Sequence, residues 1–146
     1  GGWVLASESC ALNHIGAEYV REVAPGEAVY IDGKGLQSIY TKDLEGRHAT
    51  CMFEYIYFAR PDSLLNEKLV YSTRMAMGAE LAKEHPVDAD MVISVPDSAT
   101  AAAVGYSQES GIPFGEGLVK NRYVGRTFII GSTVGSAVLS SSRLWS

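Results

Sequence analysis

Val95-Pro96-Asp97-Ser98-Ala99-Thr100 has the make-up of a site. An apolar run ends there, a proline and an aspartate turn the chain, and two hydroxyl side chains stand where a helix is predicted to begin. In an open parallel sheet, ligands settle outside the carboxyl ends of the strands, where the next helix starts. The first N–H groups of that helix lack partners and carry partial positive charge, which suits a phosphate. A hydroxyl at this point either caps the helix or touches the ligand and a metal ion carried by it; the local sequence fits both readings. A second group is Lys120-Asn121-Arg122-Tyr123-Val124-Gly125-Arg126-Thr127, where three of the twelve basic residues fall within seven positions of an acidic chain. This island reads either as a loop that closes on an anionic ligand or as a solvated charged turn. About twenty residues and one helix–strand step separate the two groups, which puts them at one edge of the sheet as a single phosphate site.

Other reactive side chains say less. Cys51-Met52-Phe53-Glu54-Tyr55-Ile56-Tyr57-Phe58-Ala59-Arg60-Pro61-Asp62-Ser63 holds Glu54 and Asp62, but its four aromatics in six residues point to a core or an interface. Cys51 reads locally as a buried, inert thiol. Cys10 and Cys51 cannot complete a tetrahedral metal site without two further ligands, and His14, His48 and His85 show no ligand spacing with them. No pair of carboxylates, Ser-His-Asp set or Walker loop is visible.

These groups need elements to hold them. Ala28–Asp32 and Gln37–Tyr40 flank Asp32-Gly33-Lys34-Gly35, which predicts a hairpin, and Trp3–Ala6 predicts a short apolar strand. A polar run from Asp43 to His48 marks a domain seam. Ser72–His85 is rich in helix formers, with Val70, Met77 and Leu81 on one face and Pro86 as a stop. Asp90–Val95 is almost wholly apolar, as a central strand covered on both faces would be, and Ser98 is expected to open the helix after it. Ala101–Ser110 reads as helix, Gly111 as its C-cap and Ile112 onward as extended. Helix, strand, turn, helix, strand predicts a parallel α/β sheet with crossovers. The last sixteen residues, nine of them Ser, Thr or Gly, have no amphipathic period.

The 146 residues are 47% hydrophobic and 20% charged, enough apolar material for a core and too little charge for a disordered tail. A net charge of −5 argues against a nucleic-acid partner. No 18-residue apolar run is present to span a membrane, and the first residues lack the basic region of a signal peptide. Two cysteines suit a reducing cytoplasm, so a soluble cytoplasmic chain is expected.

Taken together, the blocks resemble one family. Cys51–Ser63 is similar to the Cys-x-Phe-Glu-Tyr-x-Tyr-Phe-Ala-Arg-Pro-Asp-Ser segment of the amidophosphoribosyltransferases, the glutamine phosphoribosylpyrophosphate amidotransferases of purine synthesis. Trp3–Ala11 resembles that family's late glutaminase strand, Val95–Ser98 its Val-Pro-Asp-Ser turn, and Lys120–Ile129 its Lys-Asn-Arg-Tyr-Val-Gly-Arg-Thr-Phe-Ile loop. The four blocks stand in family order over roughly residues 1–129.

The resemblance implies an α/β chain with three parts. Residues 1–48 would be the β-rich end of an N-terminal-nucleophile glutaminase domain, 49–130 the first part of a type I phosphoribosyltransferase sheet, and 131–146 a tail unlike the family's continuation. It implies that ammonia from glutamine displaces pyrophosphate from phosphoribosylpyrophosphate to give phosphoribosylamine. Asp97, Ser98, Lys120, Arg122, Tyr123 and Arg126 would then bind substrate, with Ser98 at the Mg²⁺ ion. Cys51 would match the first cysteine ligand of a [4Fe–4S] cluster in members that have one. It also implies homo-oligomers inhibited by purine nucleotides. The family's catalytic cysteine is its mature N-terminal residue, whereas residue 1 here is Gly, and the Asp-Asp-Ser motif that supplies Mg²⁺ carboxylates is absent. The chain is therefore expected to be an internal fragment, inactive alone in both half-reactions. The alternative is a non-catalytic phosphoribosyl-nucleotide binding module of the same fold.

Overall fold

A computed structural model describes residues 2–40, 49–121 and 123. The predicted seam at 43–48, the loop residues Arg122 and Arg126, and the tail 131–146 lie outside the described residues.

The first forty residues form helix α1 (Ser9–His14) and an antiparallel hairpin of β1 (Glu27–Asp32) and β2 (Gly35–Tyr40). The hairpin turns where the sequence predicts. Asp32 accepts the Lys34 N–H at 2.8 Å, and Gly35 takes φ +109°, a conformation only glycine adopts at little cost. Arg21 forks onto the Glu27 carboxylate at 2.6 and 2.8 Å, and the Ala24 N–H and Ser38 hydroxyl also donate to it. With four donors around it, chiefly the Arg21 guanidinium, this carboxyl is held down to about 2. The predicted strand at Trp3–Ala6 does not form. No described strand lies beside it to complete a ladder, and Trp3, Val4 and Leu5 instead line a cavity of about 350 Å³ with Leu12, Val29 and Leu36.

Residues 49–121 carry the remaining elements. A π-helical turn (Glu54–Phe58) presents the aromatic block. Its rings pack on one another, Phe53 against Phe58 at 6.3 Å and Tyr57 against Phe58 at 5.6 Å, and Phe53 and Phe58 stay exposed. A tight hairpin follows, β3 (Leu64–Leu65) and β4 (Lys68–Leu69), turning through Asn66 and Glu67, both at positive φ. Helix α2 (Val70–Glu84), strand β5 (Val92–Ile93), helix α3 (Thr100–Ser110) and strand β6 (Phe114–Gly115) complete the unit. β5 and β6 pair in parallel across α3, so the predicted βαβ crossover is present. Gly111 closes α3 in the left-handed conformation, φ +76°, as a C-cap.

Three expectations need correction. The buried stripe of α2 is Val70, Arg74, Gly78 and Ala82, every fourth residue, whereas Met77 and Leu81 are exposed. The reason is the close crossing of α2 and α3. A Cβ on Gly78 would lie 1.8 Å from the Ala102 carbonyl oxygen, and one on Gly105 would lie 2.0 Å from that of Met75. Backbones this near leave no room for large side chains between them, so small ones hold the contact. Second, Asp90–Val95 is not a sheltered central strand. Only Val92–Ile93 pair, with β6 alone among the described residues, and Met91, Ile93 and Val95 stay exposed because nothing described covers that face. Third, the helix opens at Thr100 and not at Ser98, since residues 96–99 form a turn in which the Thr100 N–H reaches the Asp97 carbonyl at 3.3 Å. No helix among the described residues is long and apolar enough to cross a membrane.

Candidate functional site

The βαβ unit sets the site. β5 runs into the turn at 96–99, which hands the chain to α3. Strand end and helix start are tied together by Ser94 and Thr100, whose hydroxyl oxygens lie 3.2 Å apart. Thr100 is thus turned toward the strand, and no side chain caps α3; Ala99 occupies the N-cap position. Ser98 is half-buried in the turn and Asp97 is exposed. After β6 the chain returns to the same edge, and Lys120 Nζ donates to Asp97 Oδ2 at 2.6 Å. Residues 23 positions apart therefore meet at the mouth of one turn. An anion entering here would meet the N-terminal turn of α3, the Ser98 hydroxyl and the Lys120 ammonium.

Of the residues expected to bind substrate, Asp97, Ser98 and Lys120 are brought together. Tyr123 is fully exposed, its N–H held by the Asn121 side chain at 3.0 Å. Arg122 and Arg126 lie outside the described residues. Cys51 is exposed just ahead of the π-helical turn, where its carbonyl accepts the Glu54 N–H, so the buried-thiol reading does not hold. Among the described residues no three His, Cys, Asp or Glu side chains cluster as a metal site.

A second polar group escaped the sequence reading. Glu8 Oε2 accepts from the Arg60 N–H at 2.8 Å and the Ser63 hydroxyl at 2.8 Å, with Cys10 Sγ at 3.8 Å. The Arg60 N–H, first among these donors, holds this carboxyl below its usual range. Ser9 Oγ accepts the Leu64 N–H at 2.7 Å. Ser-Glu-Ser at the start of a short helix was the available signal, and it looks like ordinary capping.

No protein-family model matches the chain. Individual proteins do. The chain is 54% identical over 129 residues to an amidophosphoribosyltransferase of Archaeoglobus fulgidus, covering 88% of this chain and 28% of that protein. It is 58% identical over 127 residues to one from Synechocystis sp., covering 87% of this chain and 26% of the relative. The chain is homologous to amidophosphoribosyltransferases. It spans about a quarter of the length of these relatives, as a fragment does. Among solved structures, the glutamine phosphoribosylpyrophosphate amidotransferase of B. subtilis, complexed with ADP and GMP, superposes with a TM-score of 0.78 at 45% identity, over 94% of this chain and 30% of that one. A structure described as the allosteric regulatory enzyme of purine biosynthesis superposes equally well, with a TM-score of 0.78 and 45% identity over 94% of this chain and 29% of its own. The mixed helix–strand architecture is that of the amidophosphoribosyltransferases.

Proposed function

We propose that this chain is the part of a cytoplasmic amidophosphoribosyltransferase that joins its two half-reactions. Residues 1–48 would close the glutaminase domain, and 49–130 would open the phosphoribosyltransferase domain. Glutamine is hydrolysed to glutamate and ammonia in the first. In the second, ammonia attacks C1 of phosphoribosylpyrophosphate, the C1–O bond to pyrophosphate breaks, the C1–N bond forms, and the nitrogen loses a proton to give phosphoribosylamine. The observation that carries the reading is the Lys120–Asp97 contact, which joins the loop block to the turn block at the start of α3.

In this reading the N-terminal turn of α3 and Ser98 hold the pyrophosphate, and Lys120 exchanges Asp97 for a phosphate oxygen as substrate arrives. Arg122, Tyr123 and Arg126 would follow as the loop closes and excludes water from C1. The Ser98 hydroxyl and Asp97 carboxylate fit Mg²⁺, a hard cation that takes few protein oxygens and shares phosphate oxygens with its ligand; bound there it would offset leaving-group charge. A [4Fe–4S] cluster does not fit the described residues, because it takes four thiolates and only Cys10 and Cys51 are present. Cys51 would be one ligand among others supplied by a longer chain, and iron and sulfide content of anaerobically purified full-length protein checks it. Purine nucleotide inhibition and a homo-oligomer belong to the same reading.

The test is phosphoribosylamine formation by the full-length enzyme carrying this segment, with free ammonia in place of glutamine. Activity that needs Mg²⁺, with a raised Mg²⁺ requirement in Ser98→Ala, supports the reading. A protein that binds purine nucleotides yet makes no phosphoribosylamine from ammonia would be the non-catalytic module instead.

A further inference from the structure

Two stretches far apart in the chain are tied by a small, buried polar knot. Ser63 is 2% exposed and Ser9 is 7% exposed. Between them the Glu8 carboxylate gathers the Arg60 N–H and the Ser63 hydroxyl on one oxygen, while Ser9 takes the Leu64 N–H. These contacts link residues 52 to 55 positions apart. Another carboxylate of the first stretch repeats the pattern, Glu22 Oε1 accepting the Asn66 N–H at 2.9 Å in the β3–β4 turn. An acceptor-only side chain suits the task, since each point it meets on the second stretch is a donor.

The knot does not end at residue 63. The Ser63 carbonyl accepts the Val70 N–H and the Pro61 carbonyl accepts that of Tyr71, so the turn carries the first residues of α2. One turn further along α2, Arg74 is 3% exposed and donates to the carbonyls of Tyr55 and Ala59, clamping the π-helical turn. The next turn of α2 presents Gly78 to Ala102 of α3, and α3 opens on the turn that bears Asp97 and Ser98. Each step is a hydrogen bond or a close backbone contact, so the knot anchors the first stretch to the turn and helix on which the second is built.

We propose that Glu8 is a positioning residue that couples the two half-reactions, holding the end of the glutaminase part against the start of the transferase part. The inference rests on the function proposed above. Where the knot is intact, ammonia released in one part meets phosphoribosylpyrophosphate in the other; where it is loosened, each part still works but the nitrogen is lost to solvent between them.

The experiment uses the full-length enzyme carrying this segment, with Glu8→Gln and, independently, Ser63→Ala. Ser63→Ala removes a single hydroxyl and keeps the test alive should Glu8→Gln fold poorly. Three rates are measured: phosphoribosylamine from free ammonia, glutamate from glutamine, and phosphoribosylamine from glutamine. Both variants are expected to keep the ammonia-dependent rate within about twofold while phosphoribosylamine formed per glutamine hydrolysed falls severalfold. An unchanged ratio would overturn the inference. So would a parallel fall of all three rates, which marks a purely structural role. An unsubstituted enzyme that makes phosphoribosylamine from neither nitrogen source would remove the underlying reading, and the inference with it.

Discussion

Lys120 is the side chain on which the proposed anion site turns, and its present partner sets how much it would contribute. Its ammonium already has a charged acceptor in Asp97, so a phosphate must replace one favourable contact with another. A charge-assisted hydrogen bond contributes about 1.5–3 kcal/mol. Lys120→Ala should therefore weaken apparent affinity for phosphoribosylpyrophosphate roughly tenfold, the low end of the tenfold-to-hundredfold range that such an energy allows. The ammonia-dependent assay reads this directly, and wild-type kinetics would return Lys120 to the solvated turn. Glu27 gives a second expectation. Its carboxyl sits at about 2, well below the ordinary value of 4.5. A depressed carboxyl stabilises the fold above its unfolded value, and the contribution fades as pH falls from about 4.5 toward 2. The β1–β2 hairpin should thus resist acid through pH 5 and loosen below 4, with Arg21→Ala moving the carboxyl back up; a side-chain NMR titration of Glu27 midway near 4.5 in the intact protein would contradict this.

Elements here are held by closeness more than by apolar bulk. At the α2–α3 crossing a methyl group on Gly78 would drive into the Ala102 carbonyl, and a backbone atom cannot rotate away as a side chain can. Gly78→Ala should cost about 1–3 kcal/mol by overpacking, seen as a lower thermal midpoint. Because α3 follows the turn proposed to hold the anion, the same substitution should raise KM for phosphoribosylpyrophosphate while leaving glutamine hydrolysis alone. Equal loss of both would mean that the crossing supports the fold without aiming the site. The α2 and α3 helices and the β1–β2 hairpin were legible because each writes its period, cap or turn locally. The exposure of β5 was not: an apolar run records what a strand prefers beside it, never what is there. The β3–β4 turn was hidden as well, since Asn66-Glu67 puts a glutamate at φ +62° where a glycine would have announced the turn.

At the scale of the molecule, much apolar surface faces water. Met77, Leu81, Met91, Ile93 and Val95 are all exposed on α2 and around β5. Exposed apolar surface of this kind favours association. The segment expressed alone should gain mass with concentration in light scattering and bind a hydrophobic dye; a dye-silent monomer at high concentration would show that the surface is already satisfied. The candidate site was half legible for a related reason. Order along the chain put the turn and the loop on one sheet edge, yet nothing local could select Asp97 as the partner of Lys120, or Ser63 as the partner of Glu8. Such long separations also have a meaning in time. Closing a loop of about 55 residues costs on the order of 3.5 kcal/mol in chain entropy, plus a constant. On a ribosome α1 emerges ahead of Ser63, so the contacts of Glu8 and Ser9 can close only once residues 60–64 have left the exit tunnel behind them.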